Sequence, residues 1–508
     1  MRNIGTVSPA LPCFTRRLAA LLVSSLVLAA CSSSVSGSSG VSGSQKLSGN
    51  ELKYGASPEQ NSSITYQPDV VFVGGANSIK SVSADGLVWT ISGSAPNVNE
   101  LKAGMILFAS SRGVGRVLAV SQHGADKQVV LGPVNITDVI RDGNFASAAP
   151  IPLGTFQAYS APSQPGLLTE TEDSGIPAST GSPGGSAGTF NLPPVHLVAV
   201  ESGEHGQTTS PDVVLTSAPY AFPPGQLMSS GSVGNYQLDP FCCSNGLGVQ
   251  VTYDNNGLRV RAKVTLHFHK PSVSYKLGIA GGKVNAAIEL HGAAGFSIGF
   301  EATSATGLDG NVANQRVQIP VEFSFPVIGT PFTIDFDQVF GMDTAFTAKN
   351  SVFAATGDYT LGGTLGFGVV NGQPTVYTPH SLTPTKTLTS TMTLLSVGPA
   401  SLIVAYAAKF GVGIGAFGFR TGPWYELTIA TGVTDTGPTS EFQCRKVAFA
   451  ISSEYGIGYR MPKPVAAAIN AVLSVFNASP IQAAGGLVGP SITAIKKSST
   501  FPPIAACA

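Results

Sequence analysis

From Leu258 to His269 the chain alternates without a break. Leu258, Val260, Ala262, Val264, Leu266 and Phe268 fall on one side, and Arg259, Arg261, Lys263, Thr265, His267 and His269 on the other. Successive side chains of a strand point to opposite faces, so this segment predicts one long strand with a core face and a wet face. A second run follows from Val284 to Glu301. Here Val284, Ala286, Ile288, Leu290, Ala294, Phe296, Ile298 and Phe300 oppose Asn285, Glu289, His291, Ser297 and Glu301. Val317–Phe325, Phe332–Phe336 and Phe410–Ile414 repeat the theme. Strands of this length predict broad antiparallel sheets, packed as a sandwich or curled towards a barrel. One helix is predicted near 464–477. After Pro464, the residues Val465, Ile469, Val472 and Phe476 form one apolar stripe, with Asn470, Ser474 and Asn477 opposite.

The N-terminal part has a shorter rhythm. Val70–Val73, Leu87–Ile91, Leu101–Phe108, Gly113–Val120 and Gln128–Leu131 are short β-rich runs separated by turn residues. They predict a small β-barrel or sandwich module over 64–149. Residues 150–189 are too rich in proline, glycine and serine to pack and form a linker. The large domain then occupies 190–508. The fold class is therefore mainly β: a small N-terminal β module, then a large antiparallel β-sandwich-like domain with one C-terminal helix.

Composition narrows the function classes. Lys and Arg number 28, Asp and Glu also 28, so no net field draws the chain to nucleic acid. Charged residues make up only 11% of the 508 and glycine numbers 60. That is an apolar composition for an enzyme in water, and it suits a glycine-rich β protein of a cell envelope or an outer-membrane β-barrel. No cofactor is implied.

The first residues carry the most specific chemistry. Arg16 and Arg17 precede the apolar run Leu18–Ala30, the layout of a secretory signal over 1–30. Leu28-Ala29-Ala30-Cys31 then resembles the lipobox of bacterial lipoproteins. The resemblance implies acylation of the Cys31 thiol and cleavage just before it, leaving the protein anchored in a membrane through its lipid. Ser32 is not the aspartate that favours inner-membrane retention in that family, which points to the outer membrane. The stretch 31–63 opens with a serine- and glycine-rich run that has few side chains able to build a core, and it reads as a tether.

Four cysteines remain in the expected mature chain: Cys242, Cys243, Cys444 and Cys507. Neighbouring cysteines seldom bridge each other. Cys242 and Cys243 are thus expected to pair with Cys444 and Cys507, in an order the sequence leaves open. A metal site is the alternative, although the spacing lacks a second close pair. Alternate histidines also suggest a metal: His267 and His269 share a strand face, and His291 sits beside Glu289 on the next run. A solvated strand face explains the same pattern. Asp335 and Asp337 alternate with Phe332, Ile334 and Phe336, and a carboxylate pair is what glycoside cleavage needs.

Other motif matches fail on context. Gly184–Gly188 and Gly295–Gly299 fit the nucleophile-elbow pattern, but Ser186 lies in the linker and Ser297 within a continuing strand. Gly413–Gly418 fits a dinucleotide pattern, yet Arg420-Thr421-Gly422-Pro423 follows it where a helix is required. No catalytic residue is assigned. The expectation is a lipid-anchored envelope protein with a binding, adhesion or structural role towards an envelope or extracellular partner. The alternatives are a hydrolase of envelope or extracellular polymers and a carrier of apolar ligands.

Overall fold

The computed structural model describes residues 48–58, 63–83, 86–147, 150–152, 226–227, 231–233, 235–242, 246–307, 311, 315–326, 330–370, 373–395, 398–416, 419–436, 443–460, 470, 480, 482 and 484–505. The alternation read from the sequence becomes two stacked antiparallel sheets with a smaller sheet beside them. The chain is mainly β and sandwich-like. Of the range 464–477 only Asn470 is described, and it is helical. Cys31, Cys243, Cys507 and most of the linker lie outside the described residues.

The small sheet has six strands among the described residues: β1 (Val70–Phe72), β2 (Ile79–Val82), β3 (Val88–Ile91), β4 (Ile106–Ser110), β5 (Gly113–His123) and β6 (Asp126–Gly132). They lie in the order β1-β4-β5-β6-β3-β2, with β1 parallel to β4. All five residues of β4 are buried, because its two faces serve two cores. Leu107 and Ala109 join Trp89, Val117 and Leu131 in the module's own core. Ile106 and Phe108 instead belong to the core of the sandwich.

The ordered body begins within the stretch expected to be tether. Ser48 and Glu51 form a reciprocal capping box at the start of a helix, Gly49–Tyr54. Tyr54 is buried at its end, and its carbonyl accepts from the Ser110 hydroxyl. The fully buried Arg112 donates to the Lys53 carbonyl at 3.3 Å. Serine and glycine dominate only up to Ser44, and Glu51, Leu52 and Tyr54 supply what a packed helix needs.

The next strand, β7 (Ile140–Ala146), follows the small sheet in the chain but belongs to the large one. The large sheet runs β8 (Tyr236–Cys242), β9 (Gly246–Asn255), β10 (Leu258–Ala280) and β11 (Lys283–Ser304) as consecutive neighbours. Beyond β11 come β14 (Ser351–Gly362) and β15 (Ser381–Lys386). The second sheet has the order β12 (Gln315–Pro326), β13 (Thr333–Phe346), β16 (Ala400–Ala416), β17 (Phe419–Asp435), β18 (Arg445–Arg460) and β19 (Ala484–Val488). A last strand, β20 (Ile492–Phe501), also pairs with β18.

The strand read from Leu258 continues well past His269, and a bulge makes that continuation work. Before it, even-numbered residues of β10 face the core; after it, Val273, Tyr275, Leu277 and Ile279 do. A net offset of one residue moves every side chain to the other face, so the apolar set stays inside although the sequence parity changes. Lys270 takes a positive φ of 50° there. Opposite it, Gly292 (φ 80°) is required, since a Cβ would lie 2.3 Å from the His269 carbonyl oxygen.

Aromatic side chains fill the space between the sheets. Phe449 of β18 stands 4.7 Å from Tyr359 of β14 and 6.3 Å from Phe296 of β11, measured between ring centroids. Phe367 and Tyr455 meet at 5.2 Å, and Phe145 of β7 meets Phe332 edge-on at 4.6 Å. Rings from both sheets thus interdigitate directly, as sandwich cores do.

Candidate functional site

Directly paired residues of antiparallel strands share a face, so register alone tells which polar side chains meet. On the outward face of the large sheet, Ser297 of β11 is paired with Thr265 of β10 and Asp358 of β14. Its hydroxyl lies 2.5 Å from an Asp358 carboxylate oxygen and 2.5 Å from His267 Nε2. A carboxylate only accepts, so the single hydroxyl proton goes to Asp358, and Nε2–H of His267 must then donate to the serine oxygen. Burial pushes the His267 imidazole below its ordinary range, while the nearby Asp358 charge works the other way. The chain of donors therefore runs His267 to Ser297 to Asp358. A serine nucleophile needs the reverse, a histidine that accepts the serine proton and an acid that orients the histidine.

The other two candidate histidines, His269 and His291, stay apart from this group. His291 pairs with Ser272, bonds Ser274 Oγ at 2.7 Å and lies 3.7 Å from Glu289. His269 is exposed in the bulge. No group of three or more His, Cys, Asp or Glu side chains among the described residues is disposed to hold a metal ion. Cys444 is disulfide-bonded, in the connection between β17 and β18, where its N–H donates to Thr436 Oγ1 at 2.9 Å. Cys242 ends β8. Ser186 is outside the described residues, and Ser297 lies in mid-strand. Gly413 and Gly415 also lie within a strand, and the chain resumes at Phe419 as another strand.

The second sheet carries a different arrangement on its outward face. Asp337 of β13 is paired with Lys409 of β16, Lys409 with Glu426 of β17, and Glu426 with Glu454 of β18. Four charged side chains thus form one row across four strands. Glu426 is only 5% exposed. Burial raises the Asp337 carboxyl above the usual carboxylate range, and the adjacent Lys409 charge opposes the shift. The Lys409 ammonium sits 5.3 Å from the centre of the Trp424 ring, a cation–π contact.

One step along the strands, the row reads Asp335, Gly411, Trp424, Gly456. Arg420 of β17 reaches across β16 to the Asp335 carboxylate and bonds Thr333 Oγ1 at 3.3 Å. Thr333 in turn donates to Asp335 at 3.2 Å. Glycine at 411, 413 and 415 leaves this end of β16 without side chains on the face, which lets the guanidinium cross it. On the other side of the charged row the face is small and apolar, with Ala405, Ala407 and Ala430 buried against Val339.

Asp335 and Asp337 therefore do share a face, but each is matched to a cation of its own. Lys409, Arg420, Trp424, Glu426 and Glu454 were not singled out by sequence reasoning. The available signal was Lys409, the one charge in a strand otherwise made almost wholly of glycine, alanine and large apolar residues.

Two family models match the chain. One, described as a domain of unknown function (DUF8403), covers residues 50–142 and so holds the small sheet. No curated protein and no solved structure matches. No helix among the described residues is long and apolar enough to cross a membrane. The second family model covers residues 218–488, more than half of the chain, including most strands of both large sheets and the charged row. By that match the chain belongs to the family described as domain of unknown function (DUF8402).

Proposed function

We propose that this protein is a lipid-anchored component of a bacterial cell envelope, held through Cys31 in the outer membrane, whose rigid β body binds or supports an envelope or extracellular partner without catalysing a reaction. The anchoring half rests on the Leu28–Cys31 box at the end of the apolar leader. The observation that carries the non-catalytic half is the direction of the His267–Ser297–Asp358 chain, which spends the serine proton on the acid. The interdigitated rings between the sheets support the same reading over a carrier, because they fill the space an apolar ligand would need.

The test is fractionation of cells grown with a labelled fatty acid. Wild-type protein is expected in the membrane fraction, labelled, and Cys31→Ser protein in the soluble envelope fraction, unlabelled. Unlabelled Cys31→Ser protein that still partitions with membranes would overturn the anchor.

A further inference from the structure

We propose that Lys409 and Asp337 become joined, after folding, by an intramolecular isopeptide bond, with Glu426 carrying the protons. Lys409 is the direct cross-strand partner of both acids, one on each neighbouring strand and all on one face. Opposed residues of an antiparallel pair hold their Cβ atoms about 4.5–5.5 Å apart. A lysine side chain is long enough to span that gap, so the register sets the Lys409 amine, which rests over the Trp424 ring, within reach of the acid on either side. Reactions held in such proximity gain effective molarities of roughly 10⁵–10⁸ M.

The surroundings select the pair. Asp335 is already engaged by Arg420 and by the Thr333 hydroxyl, and Lys409 is not its cross-strand partner. Asp337 is paired with Lys409 instead, and desolvation raises its carboxyl above the usual range and so favours the neutral acid, whose carbon an amine can attack. The Trp424 ring beside Lys409 and, further along the same face, the buried alanines at 405, 407 and 430 limit the water around this half-buried pair.

The balance is simple. Glu426 as carboxylate takes one proton from the Lys409 ammonium, and the freed lone pair attacks Cγ of protonated Asp337. The tetrahedral adduct loses the Asp337 hydroxyl as water, using a second proton from the former ammonium relayed through Glu426. One C–N bond forms and one C–O bond breaks. The product is a secondary amide with one N–H, a molecule of water and protonated Glu426, which returns its proton to solvent. No oxidant, metal or nucleotide enters the balance.

Proteolysis of the purified, reduced full-length protein followed by tandem mass spectrometry tests this directly. The expected product is a branched peptide joining the Asp337 segment to the Lys409 segment, lighter than the two together by one water. Glu426→Gln and Lys409→Met should give the two linear peptides at full mass. Asp337→Asn should still branch, with ammonia as the leaving group. Linear peptides from folded wild-type protein would overturn the proposal, as would a branch at Glu426. The wild-type map decides the matter even where a variant fails to fold.

Discussion

The two outward faces of the sandwich are built from the same long antiparallel strands, yet they treat charge in opposite ways. On the large sheet, charges meet water: Arg259 lies 3.6 Å from Asp254, with both side chains about half exposed. On the second sheet, Asp335 and Arg420 are paired with side chains only 7% and 13% exposed. The large sheet could lose a charge and hydrate the remainder. The second sheet offers its remaining charge almost no water. What separates them is the side chains between the charges, because glycine and alanine let polar groups lie flat and close against the backbone, where they are desolvated.

The sharpest way to break this comparison is to remove one partner on each face. Asp335→Ala takes from the buried Arg420 guanidinium the carboxylate it pairs with, and such losses cost roughly 3–5 kcal/mol. Asp254→Ala on the wet face should cost under about 1 kcal/mol. Urea unfolding of the two variants measures both. Equal small effects would mean that the second face is wetter than its burial implies.

A weaker perturbation asks whether the glycines matter by their absence of bulk. At Gly413 a Cβ would stand 2.3 Å from the Thr421 carbonyl oxygen, a backbone atom with no rotamer to yield. Gly413→Ala is therefore expected to cost about 1–3 kcal/mol, as overpacking does. On the large sheet, a Cβ at Gly278 of β10 would meet its nearest atoms at 3.9 Å, an ordinary van der Waals contact. Gly278→Ala should stay within about 0.5 kcal/mol. Thermal unfolding of the pair sharpens the contrast without touching a charge.

The same contrast explains what the sequence could tell. The wet-faced strands β10 and β11 were legible because a half-buried strand writes its two environments as strict alternation. Strands β17 and β18 are buried on both faces for most of their length, so the alternation vanishes and neither was read as a strand. The charged row was hidden for a second reason. Asp337, Lys409, Glu426 and Glu454 are brought together only by register between strands far apart in sequence, and a single chain does not state its register. Asp335 and Asp337 were visible as an alternating pair because they share one strand. Their cations were not. On the large sheet the sequence placed His267 and Ser297 on outward faces, but Asp358, which decides the direction of the hydrogen bonds, arrives from β14.

The smallest expected effect concerns that histidine. In the fold, burial holds the His267 imidazole below its unfolded value, so the unfolded chain binds more protons as the pH falls below about 6.5. Stability is then fully present above that value and declines as the solution is acidified, until the folded imidazole itself titrates. The slope this one group contributes cannot exceed that of one proton, about 1.4 kcal/mol per pH unit. His267→Gln removes the titration while keeping an N–H that can donate to Ser297. The variant's stability should therefore fall less between neutral and mildly acidic pH than the wild type's, in parallel denaturant titrations. Identical slopes would mean that His267 is as well hydrated as the other groups on its face, and the two faces of the sandwich would differ only in the second sheet's buried charges.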